Sequence, residues 1–261
     1  MIQFEFIKNF YPAHIRENSG FSKYILKEHI LLMILDFLSS TAYVKNLAFI
    51  GGTSIRLTKG IDRFSEDLDF DCKNFSDSDF SRLAGDVLLF LRRNGLEVEI
   101  KESKKDLKAF RQNLIFPELL YDLGLSGHKE ERFLIKLECQ DQLFSYDREL
   151  YNIKGGGYFF PFPVPPVSVL CSMKINALFN RNKGRDFYDV MFLLSQASPD
   201  YDYLREKLGI ENLDQLKQRV RELTERVNMQ NKVRDFEHLI FQKSNAGRIL
   251  LINDFIAGLK E

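Results

Sequence analysis

Several features that mark special classes of protein are scarce in this chain of 261 residues. Its three cysteines, Cys72, Cys139 and Cys171, lie far apart without a CxxC spacing, which excludes a disulfide framework and a zinc motif. Fifteen glycines and seven prolines are too few for a fibrous or low-complexity protein. No apolar run approaches the ~18 residues of a membrane span, and the N-terminus lacks the regions of a signal peptide. These absences predict a cytoplasmic protein with no membrane partner.

A surplus of charge is also missing, since 37 Lys and Arg side chains balance 37 Asp and Glu. A chain with zero formal net charge exerts no global attraction on nucleic acid, so only local basic patches could bind it. What the chain does have is apolar surface: 24 Phe and 10 Tyr argue against disorder. Its length fits one or two domains.

The order of sequence patterns predicts an α+β fold. A helical lead precedes residues 47–145, where strand and helix patterns alternate and indicate a mixed sheet. We predict that this domain, with its helical lead, spans residues 1–154. Glycines and prolines in GGGYFFPFPVPPV predict a linker at 155–167, and the patterns beyond it indicate a helical domain at 168–261.

The segment FIGGTSIRLTKGIDRFSEDLDFD at residues 49–71 carries the clearest chemical signal. A buried strand ends in Gly51 and Gly52, and a short helix follows, with Thr53 as a candidate cap. Glycines let the backbone approach a triphosphate, and a helix start offers N–H groups to its charge. Asp67 and Asp69, at i and i+2, point to one side of a strand and are close enough to share divalent metal ions. Alone, the glycine pair fits a plain turn and the acid pair fits a solvated strand face.

In this order, strand, glycine pair, helix and strand-borne acids resemble the DNA polymerase β-like nucleotidyltransferase fold. The resemblance implies that Gly51 and Gly52 hold the triphosphate of an NTP, while Asp67 and Asp69 bind Mg²⁺ or Mn²⁺. It further implies a third metal-binding acid on a neighbouring strand, for which Glu138 in RFLIKLECQ is the best candidate. An ordinary exposed glutamate fits Glu138 equally well.

Two segments together resemble the AbiEii family of toxin nucleotidyltransferases, which includes the MenT toxins. They are GGTSIRLTKGIDRFSEDLDF and, at residues 173–194, MKINALFNRNKGRDFYDVMFLL. The resemblance covers most of residues 47–195. The predicted nucleotide-binding residues are Gly51, Gly52, Thr53, Arg56, Lys174 and Arg181.

The second segment also suggests chemistry by its spacing. Lys174 and Arg181 lie two turns apart on one helix face, and Asp186 and Asp189 begin the next helix. We predict that Lys174 contacts the nucleotide phosphates as a point charge. Asp186 is predicted to position Lys174 or the acceptor group and to act as general base. A helix hairpin with ordinary caps and ion pairs is the alternative.

Together these patterns predict an enzyme that transfers an NMP from an NTP to an acceptor and releases pyrophosphate. The predicted catalytic residues are Asp67, Asp69, Lys174 and Asp186, gathered in one cleft. The resemblance implies the toxin of a toxin–antitoxin or phage-defence pair, with a cognate antitoxin protein as partner and the tRNA 3′ end as acceptor.

RNA phosphates would have to meet local basic clusters, and the candidates are Lys101–Arg111 and Arg181–Arg185. A solvated charged face is the alternative for the first cluster. Two other functions stay open: a nucleotidyltransferase acting on a small molecule, such as an aminoglycoside, or on a protein, and an inactive binding module or antitoxin.

Overall fold

The computed structural model describes residues 2–102 and 109–260. The chain divides into two units. The first runs to Gly60 and includes Phe64–Leu143 and Arg148–Val164. The second contains Ile61–Arg63, Phe144–Asp147 and the chain from Pro165 onward. The domain boundaries predicted from the sequence stay a prediction.

The N-terminal part of the first unit is helical, as predicted. Its helices are α1 (Phe4–Lys8), α2 (Ala13–Arg16) and α3 (Ser22–Ser39), with 3₁₀ turns at Ser19–Phe21 and Ala42–Asn46. Helix α3 has apolar residues all round and buries them on all sides, which is typical of a core helix. Within residues 2–102 and 109–260, no helix is both long and apolar enough to cross a membrane.

A five-stranded mixed sheet forms the centre of the first unit. Its strands are β1 (Leu47–Ile50), β2 (Leu68–Cys72), β3 (Glu99–Glu102), β4 (Phe110–Phe116) and β5 (Phe133–Gln140). Their order is β1-β2-β5-β4-β3, and β2 and β5 run parallel while the other neighbours are antiparallel. The predicted mixed sheet is therefore confirmed.

Three helices connect these strands: α4 (Gly51–Ser54), α5 (Asp77–Arg93) and α6 (Leu119–Asp122). Helix α4 continues as a π-helical turn over Ile55–Lys59 and ends at Gly60, whose φ of 75° suits glycine. The prediction of Thr53 as a cap is wrong, because the helix already begins at Gly51 and no side chain caps it.

The predicted linker is also wrong as a description of local structure. Residues 155–164 belong to a hairpin of β6 (Glu149–Gly155) and β7 (Tyr158–Val164). Pro161 and Pro163 are tolerated because β7 pairs only with β6 among the residues that the structure describes, so a missing N–H breaks no central ladder. Phe162 packs against Phe49 and Phe70, with ring centroids 6.0 and 5.8 Å away. The burial of alternate side chains of β7 therefore outweighs the low strand preference of its prolines.

The second unit is helical, as predicted for the C-terminal part. Its helices are α7 (Val167–Arg181), α8 (Gly184–Leu194), α9 (Tyr201–Leu208), α10 (Leu213–Arg226), α11 (Met229–Arg234), α12 (Lys243–Ala246) and α13 (Ile252–Ala257). Two 3₁₀ turns, Glu237–Leu239 and Gly247–Leu251, lie between the last three helices. Phe187, Tyr203 and Phe236 are fully buried in it.

Candidate active site

One face of the sheet in the first unit is polar, and the acid motif lies on it. Side chains of successive strand residues point to opposite faces, so Leu68 and Phe70 enter the core while Asp69 points the other way. Asp69 stands opposite Glu138 in the parallel β2–β5 register. The two acids therefore lie side by side on one face, and Asp67 lies just ahead of β2.

The backbone of Gly51 lies directly against the carboxylate of Asp69. Gly51 has a φ of 79°, and a Cβ built on it would lie 2.2 Å from Asp69 Oδ2 and 2.9 Å from its Cγ. No side chain fits in that space. The glycine turn and the acid strand, which are 18 positions apart by residue number, thus meet because β1 and β2 are antiparallel neighbours.

Two cations accompany the acids. Lys136 Nζ lies 3.5 Å from Asp67 Oδ2 and 3.4 Å from Glu138 Oε2. Partial burial opposes its charge, but Asp67, Asp69 and Glu138 outweigh that and raise the pKa of Lys136. Arg111 Nε donates to Glu138 Oε2 at 2.7 Å. Glu138 is therefore bound by two cations of its own sheet.

Two of the predicted nucleotide-binding side chains have structural partners in the first unit. Thr53 is buried, and its hydroxyl donates to the carbonyl oxygen of Asp67, which ties α4 to the start of β2. Arg56 donates from Nε and Nη2 to the buried carboxylate of Glu28, at 2.9 and 3.2 Å. Their binding of a nucleotide stays a prediction.

In the second unit, Lys174 belongs to a buried charge cluster. Its Nζ lies 2.8 Å from Asp189 Oδ2, and Arg63 donates to both oxygens of Asp189 at 2.7 Å. Asp189 and Arg63 are fully buried. Burial raises the pKa of Asp189, but the charges of Arg63 and Lys174 outweigh it and lower that pKa to about 2.

Asp186 does not bind Lys174 through any described contact; it anchors Arg181 and the start of α8. Arg181 donates to both of its oxygens, at 3.0 and 2.8 Å, and the Lys183 N–H donates at 3.2 Å. Asp186 is fully buried. The described partner of Lys174 is Asp189, so a contact of Asp186 with Lys174 is not observed, while positioning of the acceptor group by Asp186 stays a prediction. The general-base role of Asp186 stays a prediction.

The family model for the nucleotidyl transferase AbiEii toxin of type IV toxin–antitoxin systems matches residues 34–240 of the sequence. The chain belongs to the AbiEii family. No curated protein matches the sequence. The resemblance inferred from the two motifs is therefore confirmed, and with it nucleotidyltransferase activity and the toxin class.

Solved structures share the fold. MenT4, a nucleotidyltransferase toxin from Mycobacterium tuberculosis H37Rv, has 18% identity and a TM-score of 0.62, over 100% of this chain and 91% of that chain. JHP933 from Helicobacter pylori has 21% identity and a TM-score of 0.54, over 89% and 91%. A putative nucleotidyltransferase from H. pylori has 22% identity and a TM-score of 0.52, over 89% and 96%.

AbiEii enzymes generally use an NTP and a divalent metal ion. Mg²⁺ is usually held by one or two carboxylates together with substrate phosphates, and Asp69 beside the bare backbone of Gly51, with Asp67 two residues before it, fits that pattern. Among residues 2–102 and 109–260, no three His, Cys, Asp or Glu side chains form a group that could hold a metal. In that part of the chain Glu138 is paired with Lys136 and Arg111, and its role as a third metal ligand stays a prediction.

Sequence reasoning on this AbiEii chain missed several charged partners. Lys136 lies two residues before Glu138 on the same strand face, so strand periodicity could have revealed it. Nothing in the sequence favours Asp189 over Asp186, because both lie three residues apart on the same helix, α8. No pattern in the sequence around Arg63 predicts that its side chain is fully buried. That Lys174 and Asp186 share a cleft with Asp67 and Asp69 stays a prediction.

Proposed function

We propose that this AbiEii toxin transfers an NMP from an NTP to the 3′ end of tRNA in a metal-dependent reaction. The observation that carries the proposal is the approach of Gly51 to Asp69, where a Cβ would lie 2.2 Å from the carboxylate. This close approach requires a residue without a Cβ, and it brings the backbone at the start of α4 beside an acid, where a phosphate and its counterion could meet N–H groups and a carboxylate together.

Asp67 and Asp69 would hold the cation, Mg²⁺ or Mn²⁺. When bound, the cation supplies neutralisation of phosphate charge. Gly51 and Gly52 keep the wall of the site free of side chains, so that the triphosphate can approach the backbone. Thr53 fixes the distance between these glycines and Asp67 through its hydrogen bond to the Asp67 carbonyl.

In the reaction, the acceptor hydroxyl oxygen forms a bond to the α-phosphorus. The bond from that phosphorus to the bridging oxygen of the β-phosphate breaks, and pyrophosphate leaves. The hydroxyl proton passes to a carboxylate or to water.

Lys136, held between Asp67 and Glu138, keeps a positive charge beside the acids over the whole neutral pH range, because its pKa is raised. It can therefore orient the acid pair before substrate binds. Lys174 is proposed to contact the triphosphate, with Asp189 as its buried counterion. Arg56, Arg181 and Asp186 keep their predicted roles as proposals.

An RNA acceptor is supported by exposed cations in a chain without net charge. Lys101 is exposed on β3 and Lys183 is exposed before α8. Within the predicted cluster Lys101–Arg111, Lys104, Lys105 and Lys108 lie outside the described residues. As a type IV toxin, the protein is proposed to act with a cognate antitoxin and in phage defence.

The experiment offers the purified protein one α-labelled NTP at a time with Mg²⁺ and three acceptors: total tRNA, a protein extract and an aminoglycoside. We expect label in tRNA only, and its loss with EDTA. γ-labelled NTP should leave the acceptor unlabelled, since that phosphate departs in pyrophosphate. Periodate-treated tRNA, which lacks the terminal diol, should accept nothing. Label in protein or drug, or transfer that survives EDTA, would contradict the proposal.

A further inference from the structure

A small pocket of about 200 Å³ opens in the first unit, apart from the acids themselves. Side chains of α3, of the segment before β2 and of the start of β5 line it. Those that matter for its chemistry are Lys23, Tyr24, Lys27, Glu66, Arg132 and Leu134.

The pocket adjoins the acid pair in two ways. Glu66 in its wall directly precedes Asp67 in the chain. Leu134, in another wall, lies two residues before Lys136 on the same face of β5, a spacing of about 7 Å along a strand. Lys136 Nζ is in turn 3.5 Å from Asp67 Oδ2. The pocket is thus next to the acids along the chain at Glu66 and along β5 through Lys136.

An aromatic ring and charged hydrogen-bonding groups line this space. Tyr24 is half-buried and stacks on the buried Phe64, with ring centroids 5.6 Å apart and planes 21° apart, which holds the tyrosine ring in place. Lys27 Nζ lies 3.0 Å from Glu66 Oε1 and 5.5 Å from the centre of the Phe133 ring. The Lys27–Glu66 pair presents both a donor and an acceptor beside the fixed ring.

Stacking on an aromatic side chain, with hydrogen bonds to a base edge, is how proteins hold single unstacked nucleotides. Pockets for drug-sized ligands enclose about 300–1,000 Å³, so this one is sized for part of a ligand rather than a whole NTP. Resting on the function proposed above, we propose that this pocket binds one nucleobase of the reacting complex, beside Tyr24. The base comes either from the incoming NTP or from the terminal nucleotide of the acceptor RNA.

The test substitutes Tyr24 in the full-length protein. Tyr24→Leu removes the ring, and Tyr24→Phe keeps it. Loss of a stacked base lowers affinity about fivefold to 150-fold in other proteins, so we expect a rise in Kd within that range for Tyr24→Leu and near-wild-type binding for Tyr24→Phe. Equilibrium binding is measured separately for each NTP and for a short RNA ending in the tRNA 3′ sequence, next to the KM of each in transfer.

Tyr43→Leu is the matched control, because Tyr43 is also half-buried and contacts a phenylalanine ring, Phe75, but lies outside the pocket. It should leave both affinities unchanged. Thermal unfolding of each variant checks the fold. Should Tyr24→Leu fail to fold, Leu134→Glu tests the same pocket from a half-exposed strand position, where the charged side chain takes up space beside Tyr24, and a loss of at least fivefold is expected.

If Tyr24→Leu binds NTP more weakly than the wild type does, the pocket holds the base of the incoming NTP. If it binds RNA more weakly, the pocket holds the terminal base of the acceptor. If a folded Tyr24→Leu or Leu134→Glu variant binds both NTP and RNA as tightly as the wild type does, the pocket does not bind a base. That result would leave the proposed transfer reaction unaffected. If wild-type protein transfers nothing and Tyr24→Leu still weakens binding, the proposed reaction fails and the pocket stands.

Discussion

Replacement of Gly51 by alanine tests how closely the glycine turn and the acid strand must approach. A residue with a Cβ at a φ of 79° pays about 1–2 kcal/mol for the left-handed conformation. Its Cβ would also lie 2.2 Å from Asp69 Oδ2 and 2.9 Å from Cγ, so the carboxylate has to move. Since a 1 Å misplacement can cost about 100-fold in rate, we expect Gly51→Ala to lose at least that much transfer activity.

Gly60→Ala is the matched control for this change. Gly60 has a similar φ of 75°, but a Cβ there would meet nothing within 4 Å. Gly60→Ala should cost the same conformational energy, which corresponds to a fall in Tm of about 2–8 °C. It should leave the transfer rate unchanged. The assay is incorporation of α-labelled NTP, next to thermal unfolding of both variants. Equal activity of Gly51→Ala and Gly60→Ala would refute the reasoning, because strain alone would then explain both.

Three further predictions concern charge. Asp189→Asn leaves Arg63 and Lys174 buried without their anion, so urea unfolding should show a loss of about 3–5 kcal/mol, whereas a loss under 1 kcal/mol would contradict the ion-pair account. Because the pKa of Asp189 in the folded protein is lowered to about 2, the charged carboxylate stabilises the fold above pH ~4, and this stabilisation is lost as the pH falls towards 2. The free energy of unfolding of the wild type should therefore fall by about 2 kcal/mol over that range. Asp189→Asn should lack this part of the pH dependence. Replacing Lys183 and Arg185 by Gln should weaken tRNA binding and reduce the log–log salt slope by up to about 1.4–1.8, with NTP affinity unchanged, and an unchanged slope would exclude this cluster from RNA binding.

Much of the fold was predictable because local patterns agree with it. Alternation around Asp67 and Asp69 gave the strand, and the glycine pair gave the turn before a short helix. The prolines in residues 155–167 led to the wrong prediction of a linker. A proline disrupts a strand only where its N–H would pair with a second neighbouring strand, and a local sequence pattern does not show whether that neighbour exists. The partner of Lys174 was likewise set by tertiary packing, since only the folded helices select Asp189 over its neighbour.

The most direct test of metal-dependent transfer at the glycine turn is the rate of α-labelled NMP incorporation into tRNA by Asp67→Asn and Asp69→Asn. Each change removes one charge from the proposed metal-binding pair while keeping the side-chain shape, so circular dichroism and Tm should stay close to wild type. Because metal-assisted neutralisation supplies several kcal/mol of transition-state stabilisation, we predict that both variants lose at least about 100-fold in rate. Wild-type rates in both folded variants would contradict the account.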